Sequence, residues 1–135
     1  MKVGVLATMV FGALIAYPIA SFAGLAPDAD GDGVPDVLDN CLNVKNASPL
    51  NCDTDQDGYG NECDCNLNND AYPCNATDLA IWKAAFKASP QTNFRADMDC
   101  NGAINATDLA IWKARFKNLP SQQSGLSCAG TIPCN

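Results

Sequence analysis

Aspartates at alternating positions form three short stretches that could bind a cation. Loop A, DADGDGVPDVLD at residues 28–39, has carboxylates at positions 1, 3, 5, 9 and 12 and a glycine, Gly33, at position 6. Side chains at positions 1, 3 and 5 can converge on one ion, the glycine allows a sharp turn, and position 12 closes the shell. Loop B (DTDQDGYGNECD, residues 53–64) and loop D (DMDCNGAINATD, residues 97–108) follow the same spacing. Oxygen ligands at this spacing predict calcium.

A fourth stretch, loop C, follows the pattern less closely. It reads NLNNDAYPCNATD and covers residues 66–78. Asn66 replaces the aspartate at position 1, Ala71 replaces the glycine at position 6, and one residue is inserted near Pro73. We therefore expect loop C to be a weak, distorted or empty site.

The predicted ligands stand at equivalent positions of the four loops. They comprise the polar side chains at positions 1, 3, 5, 9 (often through water) and 12, and in the three strict loops the main-chain carbonyl at position 7. They are Asp28, Asp30, Asp32, Val34, Asp36 and Asp39 in loop A; Asp53, Asp55, Asp57, Tyr59, Asn61 and Asp64 in loop B; Asn66, Asn68, Asp70, Asn75 and Asp78 in loop C; and Asp97, Asp99, Asn101, Ala103, Asn105 and Asp108 in loop D.

A single stretch of this kind can be a solvated turn, but three strict copies favour calcium. Carboxylates packed into one loop repel one another unless a divalent ion neutralises them. Aspartate at position 12 is one methylene shorter than glutamate, so we expect modest affinity. Extracellular modules commonly bind calcium at roughly 10⁻⁴–10⁻³ M.

Two nearly identical stretches end loops C and D and continue beyond them. NATDLAIWKAAFK at 75–87 and NATDLAIWKARFK at 105–117 differ only where Ala85 is replaced by Arg115. Leucine, tryptophan and phenylalanine recur in each at i, i+3 and i+7, which predicts an amphipathic helix. A proline follows each stretch as a stop signal. Asparagine and threonine beside the helix start are natural caps.

The predicted helices cover residues 76–89 and 106–119. We expect their apolar faces to bury each other about a pseudo-two-fold axis, although the helices alone would also fit an ordinary helical hairpin. The core residues predicted for these faces are Leu79, Trp82 and Phe86 in the first helix and Leu109, Trp112 and Phe116 in the second.

The beginning of the chain has the pattern of a secretory signal. A positive start is followed by an apolar run to Ala20 and the small-x-small stretch Ser21-Phe22-Ala23. A membrane anchor is the alternative, but Pro18 and the small residues near the end of the run favour cleavage. We therefore predict a signal peptide at 1–23 and a secreted protein, located outside the cell or at its surface.

Eight cysteines follow the predicted signal peptide. An even number in an exported chain indicates disulfides. Zinc or iron–sulfur ligation is the alternative, but the chain has no histidine and no C-x-x-C pair. The pattern does not choose between the possible pairings.

The charge balance excludes some partners and activities. Fifteen acidic residues against eight basic ones give a net charge of −7. This argues against nucleic acid, which attracts basic surfaces. Because there is no histidine and no serine or cysteine nucleophile pattern, and the carboxylates fit calcium loops, we predict that the protein is not an enzyme.

These patterns predict a small protein stabilised by calcium and disulfides. Its fold class is an irregular calcium-loop segment plus an all-α pair of loop–helix repeats. The predicted divisions are the signal peptide at 1–23, the calcium-binding segment at 24–64, the tandem repeat at 65–119 and a cysteine-containing tail at 120–135.

Loops A and B, with the cysteines that border them, resemble thrombospondin type 3 repeats. The residues that carry this resemblance are DADGDGVPDVLDNC and DTDQDGYGNECD, within about 28–64. The resemblance implies a calcium-wrapped, disulfide-linked segment that is almost without a core. Cys52 departs from the usual spacing of the family, so a simple pairing of Cys41 with Cys63 stays open.

The stretch DMDCNGAINATDLAIWKARFK, with its weaker partner from Asn66, is similar to type I dockerins. That resemblance covers about 66–119 and implies two loop–helix repeats that dock onto cohesin domains. It implies calcium ligands in loop D and partner-recognition positions along both helices. The lysines among these positions also fit plain solvation. The positions named for partner binding are Thr77, Lys83, Lys87, Thr107, Lys113 and Lys117.

The leading functional prediction is a secreted, calcium-binding, non-catalytic docking or adhesion module. It would present the duplicated helix pair to a protein partner such as a cohesin. The alternative is a structural subunit of an extracellular fibre or surface layer, which would self-associate through calcium loops and disulfides. Neither prediction involves nucleic acid, nor a membrane after signal cleavage.

Overall fold

The structure, a computed structural model, describes residues 26–46, 51–120 and 122–134. The predicted signal peptide at 1–23 lies outside the described residues. Within the described ranges the chain forms helices, turns and irregular loops, and no strand. None of the helices found there is long and apolar enough to cross a membrane.

Two α-helices follow loops C and D. Helix α1 is Ala76–Lys87 and helix α2 is Ala106–Lys117, so each ends two residues earlier than predicted. Two short 3-10 helices, η1 (Asp36–Leu38) and η2 (Phe94–Ala96), complete the regular structure of the described residues. α1 packs against η2.

Both α-helices begin with the same capping box. At the start of α1, the Asn75 side chain accepts a hydrogen bond from the Thr77 N–H at 2.7 Å. The Asp78 carboxylate in turn accepts one from the Asn75 N–H, also at 2.7 Å. Such reciprocal bonds satisfy N–H groups that the first turn leaves free. A helix of 12 residues is still marginal in isolation, so packing must stabilise both.

The two helices contribute to one shared core. Trp82 and Trp112 are 3% and 2% exposed, and Leu79 and Leu109 pack at the edge of the same cluster. The rest of the core comes from the loops and from the buried side of α1. These residues are Cys65, Leu67, Cys74, Ala85, Ala96, Met98 and Ile104. The helices therefore bury their tryptophans largely against loop residues.

Phe86 and Phe116 were predicted to be core residues, and that prediction is wrong. Their side chains are 47% and 46% exposed. Each ring stacks on the tryptophan one turn earlier, Trp82 or Trp112, with ring centroids 5.3 Å apart. The phenylalanines lie in the last turn of each helix, where the tryptophan covers one ring face and solvent reaches the other.

Residues 26–64, which we call the N-terminal segment, have little hydrophobic core of their own. Their buried hydrophobic residues, among those described, are the disulfide partners Cys41 and Cys63. The other large buried side chains in this part are polar: Asp39, Asn40, Asn46, Asp57, Asn61 and Asp64. Burial of apolar area therefore stabilises this segment only weakly, and crosslinks, polar contacts or an ion must hold it.

The cysteines form four pairs at disulfide distance, which confirms the predicted disulfides. The separations between Cα atoms lie between 5.1 and 6.4 Å. The pairing of Cys41 with Cys63, left open by the sequence, is present. The pair that joins the N-terminal segment to loop D is Cys52–Cys100. The remaining pairs are Cys65–Cys74 and Cys128–Cys134.

The C-terminal tail, residues 122–134, folds back over loops A and B. The Gly125 N–H donates to the Asp39 carbonyl at 2.9 Å, and the Gly130 N–H donates to the Asp57 carbonyl in loop B at 2.7 Å. A Cβ atom at Gly125 would lie 1.6 Å from the Asp36 carbonyl oxygen, so only glycine allows this approach. The tail is therefore part of the folded N-terminal segment.

The one difference between the repeated stretches has a structural reason. Ala85 is 3% exposed and packs in the core. At the equivalent position of α2, Arg115 reaches the N-terminal segment, where its Nε donates to the Glu62 carbonyl at 2.7 Å. Its Nη2 also lies 3.9 Å from the Glu62 carboxylate. Through this position α2 contacts residues 26–64, whereas α1 uses it for its own core.

Candidate calcium loops and docking face

Carboxylates converge in each of the three strict loops. In each, three ligand oxygens from different residues lie within 4.8 Å of one another. Loops A and B contribute positions 1, 3 and 5, and loop D contributes positions 1, 3 and 12. The three groups are Asp28, Asp30 and Asp32; Asp53, Asp55 and Asp57; and Asp97, Asp99 and Asp108.

The backbone of the strict loops also follows the predicted pattern. The glycine at position 6 has a φ of +99° in loop A, +88° in loop B and +86° in loop D, which side chains rarely adopt. Its N–H donates to the carboxylate at position 1 and so closes the turn. The donor–acceptor distances are 3.1 Å for Gly33 to Asp28, 2.8 Å for Gly58 to Asp53 and 2.8 Å for Gly102 to Asp97.

Loop C follows the same path at first and then departs from it. Asn69, at position 4, has a φ of +53°, and the residues at position 4 of the other three loops also have a positive φ. Ala71, which replaces the glycine at position 6, does not. The Asn66 side chain is 5% exposed, and its Oδ1 has no hydrogen-bond partner among the described residues. A buried oxygen without a partner at a ligand position fits a cation in this altered loop.

The carboxylate at position 12 is buried in all four loops. Asp39, Asp64, Asp78 and Asp108 are each 5% exposed or less. In loop D, the Oδ1 of Asp108 accepts from the Met98 N–H at 2.8 Å while its Oδ2 caps α2. One residue therefore closes the loop and starts the helix, which explains why loop and helix recur together.

Burial makes several of the loop carboxylates harder to ionise. It raises the pKa of Asp57 to about 6, and the neighbouring Asp55 and Asp53 add to the rise. The pKa of Asp64 lies well above its ordinary value, first because of burial and then because of Asp57. Burial also raises the pKa of Asp97. A divalent ion would supply the missing positive charge, so the electrostatics of the loops fit calcium.

The side chains at position 9 are engaged within the protein. Asp36 accepts from the Ala29 N–H at 2.7 Å. Asn75 and Asn105 cap α1 and α2. Asn61 reaches out of loop B toward loop D, with its Nδ2 2.9 Å from the Asp97 carbonyl. Because position 9 often acts through water, we leave it out of the direct ligands proposed below.

In each strict loop the main-chain N–H at position 7 donates to the side chain at position 5. They donate from Val34 to Asp32 at 2.8 Å, from Tyr59 to Asp57 at 2.9 Å, and from Ala103 to Asn101 at 3.0 Å. In loop C the corresponding N–H of Tyr72 donates to Asp70 at 2.8 Å, and the predicted ligand Asn68 also contacts Asp70, through its Nδ2 at 2.9 Å.

Sequence reasoning missed the cations and amides that join the loops. Arg95 lies with its Nε 3.6 Å from the Asp55 carboxylate, and the Asn69 Nδ2 donates to that carboxylate at 2.8 Å. The Nε2 of Gln122 donates to the buried Asp64 carboxylate at 2.8 Å. Arg95 and Gln122 belong to no motif, and Asn69 stands at a position of loop C that is not a predicted ligand, so only the fold shows these contacts.

The predicted partner-binding residues are exposed and recur at equivalent positions of the two helices. Each helix contributes a threonine in its first turn and two lysines one turn apart, and all six residues are exposed. We call these six residues the docking face. Its residues are Thr77, Lys83 and Lys87 on α1 and Thr107, Lys113 and Lys117 on α2.

Helices α1 and α2, with the loops that precede them, lie in a stretch that matches a known protein family. Residues 64–117 match the family model of the dockerin type I domain. The match confirms the resemblance inferred for this part, and we call these residues the dockerin segment. Dockerins are non-catalytic docking domains that bind cohesins and typically bind calcium.

The comparisons leave the rest of the chain without a family. The dockerin match covers less than half of the chain. The thrombospondin type 3 resemblance of residues 28–64 is not confirmed and stays a prediction. No curated protein and no solved structure matches the chain. Dockerin modules are typically extracellular or at the cell surface, and the disulfides fit that location.

Loops C and D are expected to respond differently to loss of the residue at position 1. Asp97→Ala removes a converging carboxylate and the acceptor of the Gly102 N–H, whereas Asn66→Ala removes a neutral oxygen from an altered loop. We expect Asp97→Ala to weaken its site at least about tenfold, which is about 1.4 kcal/mol, and more than Asn66→Ala. Calcium titration calorimetry measures both, with Asn118→Ala as an exposed control. A larger loss for Asn66→Ala would reverse the ranking.

Proposed function

We propose that the protein is a secreted, calcium-binding docking module that binds a cohesin-like protein through its helix pair and catalyses no reaction. The observation that carries this proposal is the dockerin match over α1, α2 and their loops. The exposed, duplicated docking face supports it, because each helix offers a partner the same residue types.

Calcium has a structural role in this proposal. The ion would neutralise carboxylates that burial brings together, and the loops would then hold the helix starts in place. The residues proposed to hold calcium are Asp28, Asp30, Asp32 and Asp39 in loop A; Asp53, Asp55, Asp57 and Asp64 in loop B; Asn66, Asn68, Asp70 and Asp78 in loop C; and Asp97, Asp99, Asn101 and Asp108 in loop D.

The docking face suggests an acidic partner surface. Lys83 and Lys87 lie one turn apart, as do Lys113 and Lys117, and like charges at this spacing slightly destabilise a helix. An acidic partner would offset that repulsion. Because the rest of the chain is strongly acidic, the two lysine pairs would also orient the partner toward the helices.

A structural subunit of a fibre or surface layer is the second candidate. Loops A and B lie outside the dockerin segment except for Asp64, so docking alone does not require them. Within loop A, η1 exposes Val37 at 67% and Leu38 at 63%. Exposed apolar residues in a cation-dependent loop would suit calcium-dependent self-association.

The two candidates predict different assemblies. In calcium, the docking module is expected to form a one-to-one complex with a cohesin domain, measured by size-exclusion chromatography with light scattering. Reversing the charge of Lys83 and Lys113 together is expected to weaken the complex at least about tenfold. Lys45→Glu, an exposed change on the N-terminal segment, is the matched control.

Two other results would count against the docking module. If a panel of cohesin domains gives no complex in calcium, the docking proposal fails. Scattering that rises with protein concentration and calcium, without any cohesin, would favour the fibre subunit.

A further inference from the structure

Asn61 connects two candidate calcium loops. It belongs to loop B at position 9 and is 5% exposed. Its Oδ1 accepts from the Thr54 N–H at 2.9 Å, within its own loop. Its Nδ2 donates to the Thr54 Oγ1 at 2.8 Å and, outside the loop, to two carbonyls, those of Asp97 at 2.9 Å and Phe94 at 3.1 Å. The amide is therefore used for hydrogen bonds across the boundary of the dockerin segment.

The recipient of this contact begins loop D. Asp97 stands at position 1, where its carboxylate accepts from the N–H groups of Asn101 at 3.1 Å and Gly102 at 2.8 Å. Asn61 donates to the main-chain carbonyl of the same residue. The position of the first ligand of loop D thus depends on a side chain of loop B.

Two further links bring these loops together. The disulfide Cys52–Cys100 joins the residue just before loop B to position 4 of loop D. Arg95, next to loop D in the chain, lies 3.6 Å from the Asp55 carboxylate in loop B. A change in the shape of one loop will therefore be transmitted to the other.

We propose that Asn61 is a positioning residue, not a calcium ligand, and that it couples calcium binding in loop B to calcium binding in loop D. The inference rests on the calcium binding proposed above. When loop B closes around its ion, Asn61 is held where its Nδ2 meets the Asp97 carbonyl, which orders loop D for its own ion. Because such coupling is reciprocal, calcium in loop D strengthens loop B by the same factor.

Each strict loop contains a residue that reports on it separately. The N–H groups of Gly33, Gly58 and Gly102 donate to the first carboxylates of loops A, B and D. Following their amide signals by NMR during a calcium titration of the intact, disulfide-bonded chain gives one midpoint for each loop.

Asn61→Asp separates the two roles of this residue. It keeps the size and an acceptor for Thr54 but removes the donor and places a carboxylate against two carbonyls. A positioning role predicts that the Gly102 midpoint moves to at least about fivefold higher calcium while Gly33 is unchanged. A ligand role predicts that the Gly58 midpoint stays or moves to lower calcium and that Gly102 does not move.

A second variant tests the coupling without touching Asn61. Asp53→Ala disables loop B, and it should shift the Gly102 midpoint in the same direction as Asn61→Asp. Combining the two changes should add little to that shift. Asn43→Ala, exposed on the N-terminal segment, is the matched control.

Three outcomes overturn the inference. A Gly102 midpoint that neither variant moves removes the coupling, even though calcium still binds. Fully additive shifts would mean that Asn61 does not act through loop B. If none of the three glycine signals responds to calcium in the unaltered chain, the proposed calcium function fails, and the coupling fails with it.

Discussion

Removing calcium with EDTA is expected to loosen residues 26–64 more than any other described part of the protein. The reason is that the described residues of this segment bury Cys41 and Cys63 as their only hydrophobic residues, while Asp39, Asp57 and Asp64 are buried carboxylates. Without an ion, each of these carboxylates is repelled by the other carboxylates of its own loop or must take up a proton. A ligand present at about a hundred times its Kd stabilises the folded state by about 2.7 kcal/mol, and chelation removes that stabilisation.

Circular dichroism, protease sensitivity and hydrogen exchange would show this loosening. Amides of loops A and B should exchange faster in EDTA, whereas those in the middle of α1 and α2 should change less because Trp82 and Trp112 remain in the core. Adding calcium back in excess is the control for reversibility. If chelation leaves all three measurements unchanged, the calcium interpretation of the loops is wrong.

Replacing Trp112 by phenylalanine is expected to destabilise the protein more than the same change at Trp82. The two residues occupy equivalent repeat positions, with exposures of 2% and 3% and identical stacking distances of 5.3 Å to the following phenylalanine. They differ in hydrogen bonding. The Trp112 Nε1 donates to the Cys65 carbonyl at 3.0 Å, whereas the Trp82 Nε1 is buried without a partner among the described residues.

Both substitutions lose similar ring volume, but only one loses a hydrogen bond. Trp112→Phe removes a buried hydrogen bond, and Trp82→Phe removes an N–H that has none. We expect a difference of about 1–3 kcal/mol in the free energy of unfolding. Thermal or urea unfolding in saturating calcium measures it, and each variant is the natural control for the other. Equal losses would mean that the bond to Cys65 adds nothing to stability.

Much of the candidate site follows from local patterns. The spacing of Asp28, Asp30, Asp32 and Gly33 specifies a turn whose carboxylates converge, because both the turn and the ligands lie within a few residues. The helix starts are equally local, since Asn75 and Asp78 cap the same turn. Such features need no distant contact, so a single sequence is enough to predict them.

The predictions that failed or stayed open depend on contacts between distant residues. The place of Phe86 outside the core depends on which loops supply the rest of that core. The pairing of Cys52 with Cys100 depends on how two segments 48 residues apart meet. The role of Arg115 likewise depends on Glu62 lying beside α2.

The sequence by itself determined that this protein has repeated acidic loops, two capped helices and enough cysteines to crosslink them. The tertiary structure decided that the N-terminal segment meets the dockerin segment through Cys52, Asn61 and Arg115, and that the C-terminal tail packs on the N-terminal segment. The physical reason is the range of the interactions. Turns and caps satisfy their own backbone groups within a few residues. A side chain can join two distant loops only when the whole chain folds so that those loops meet.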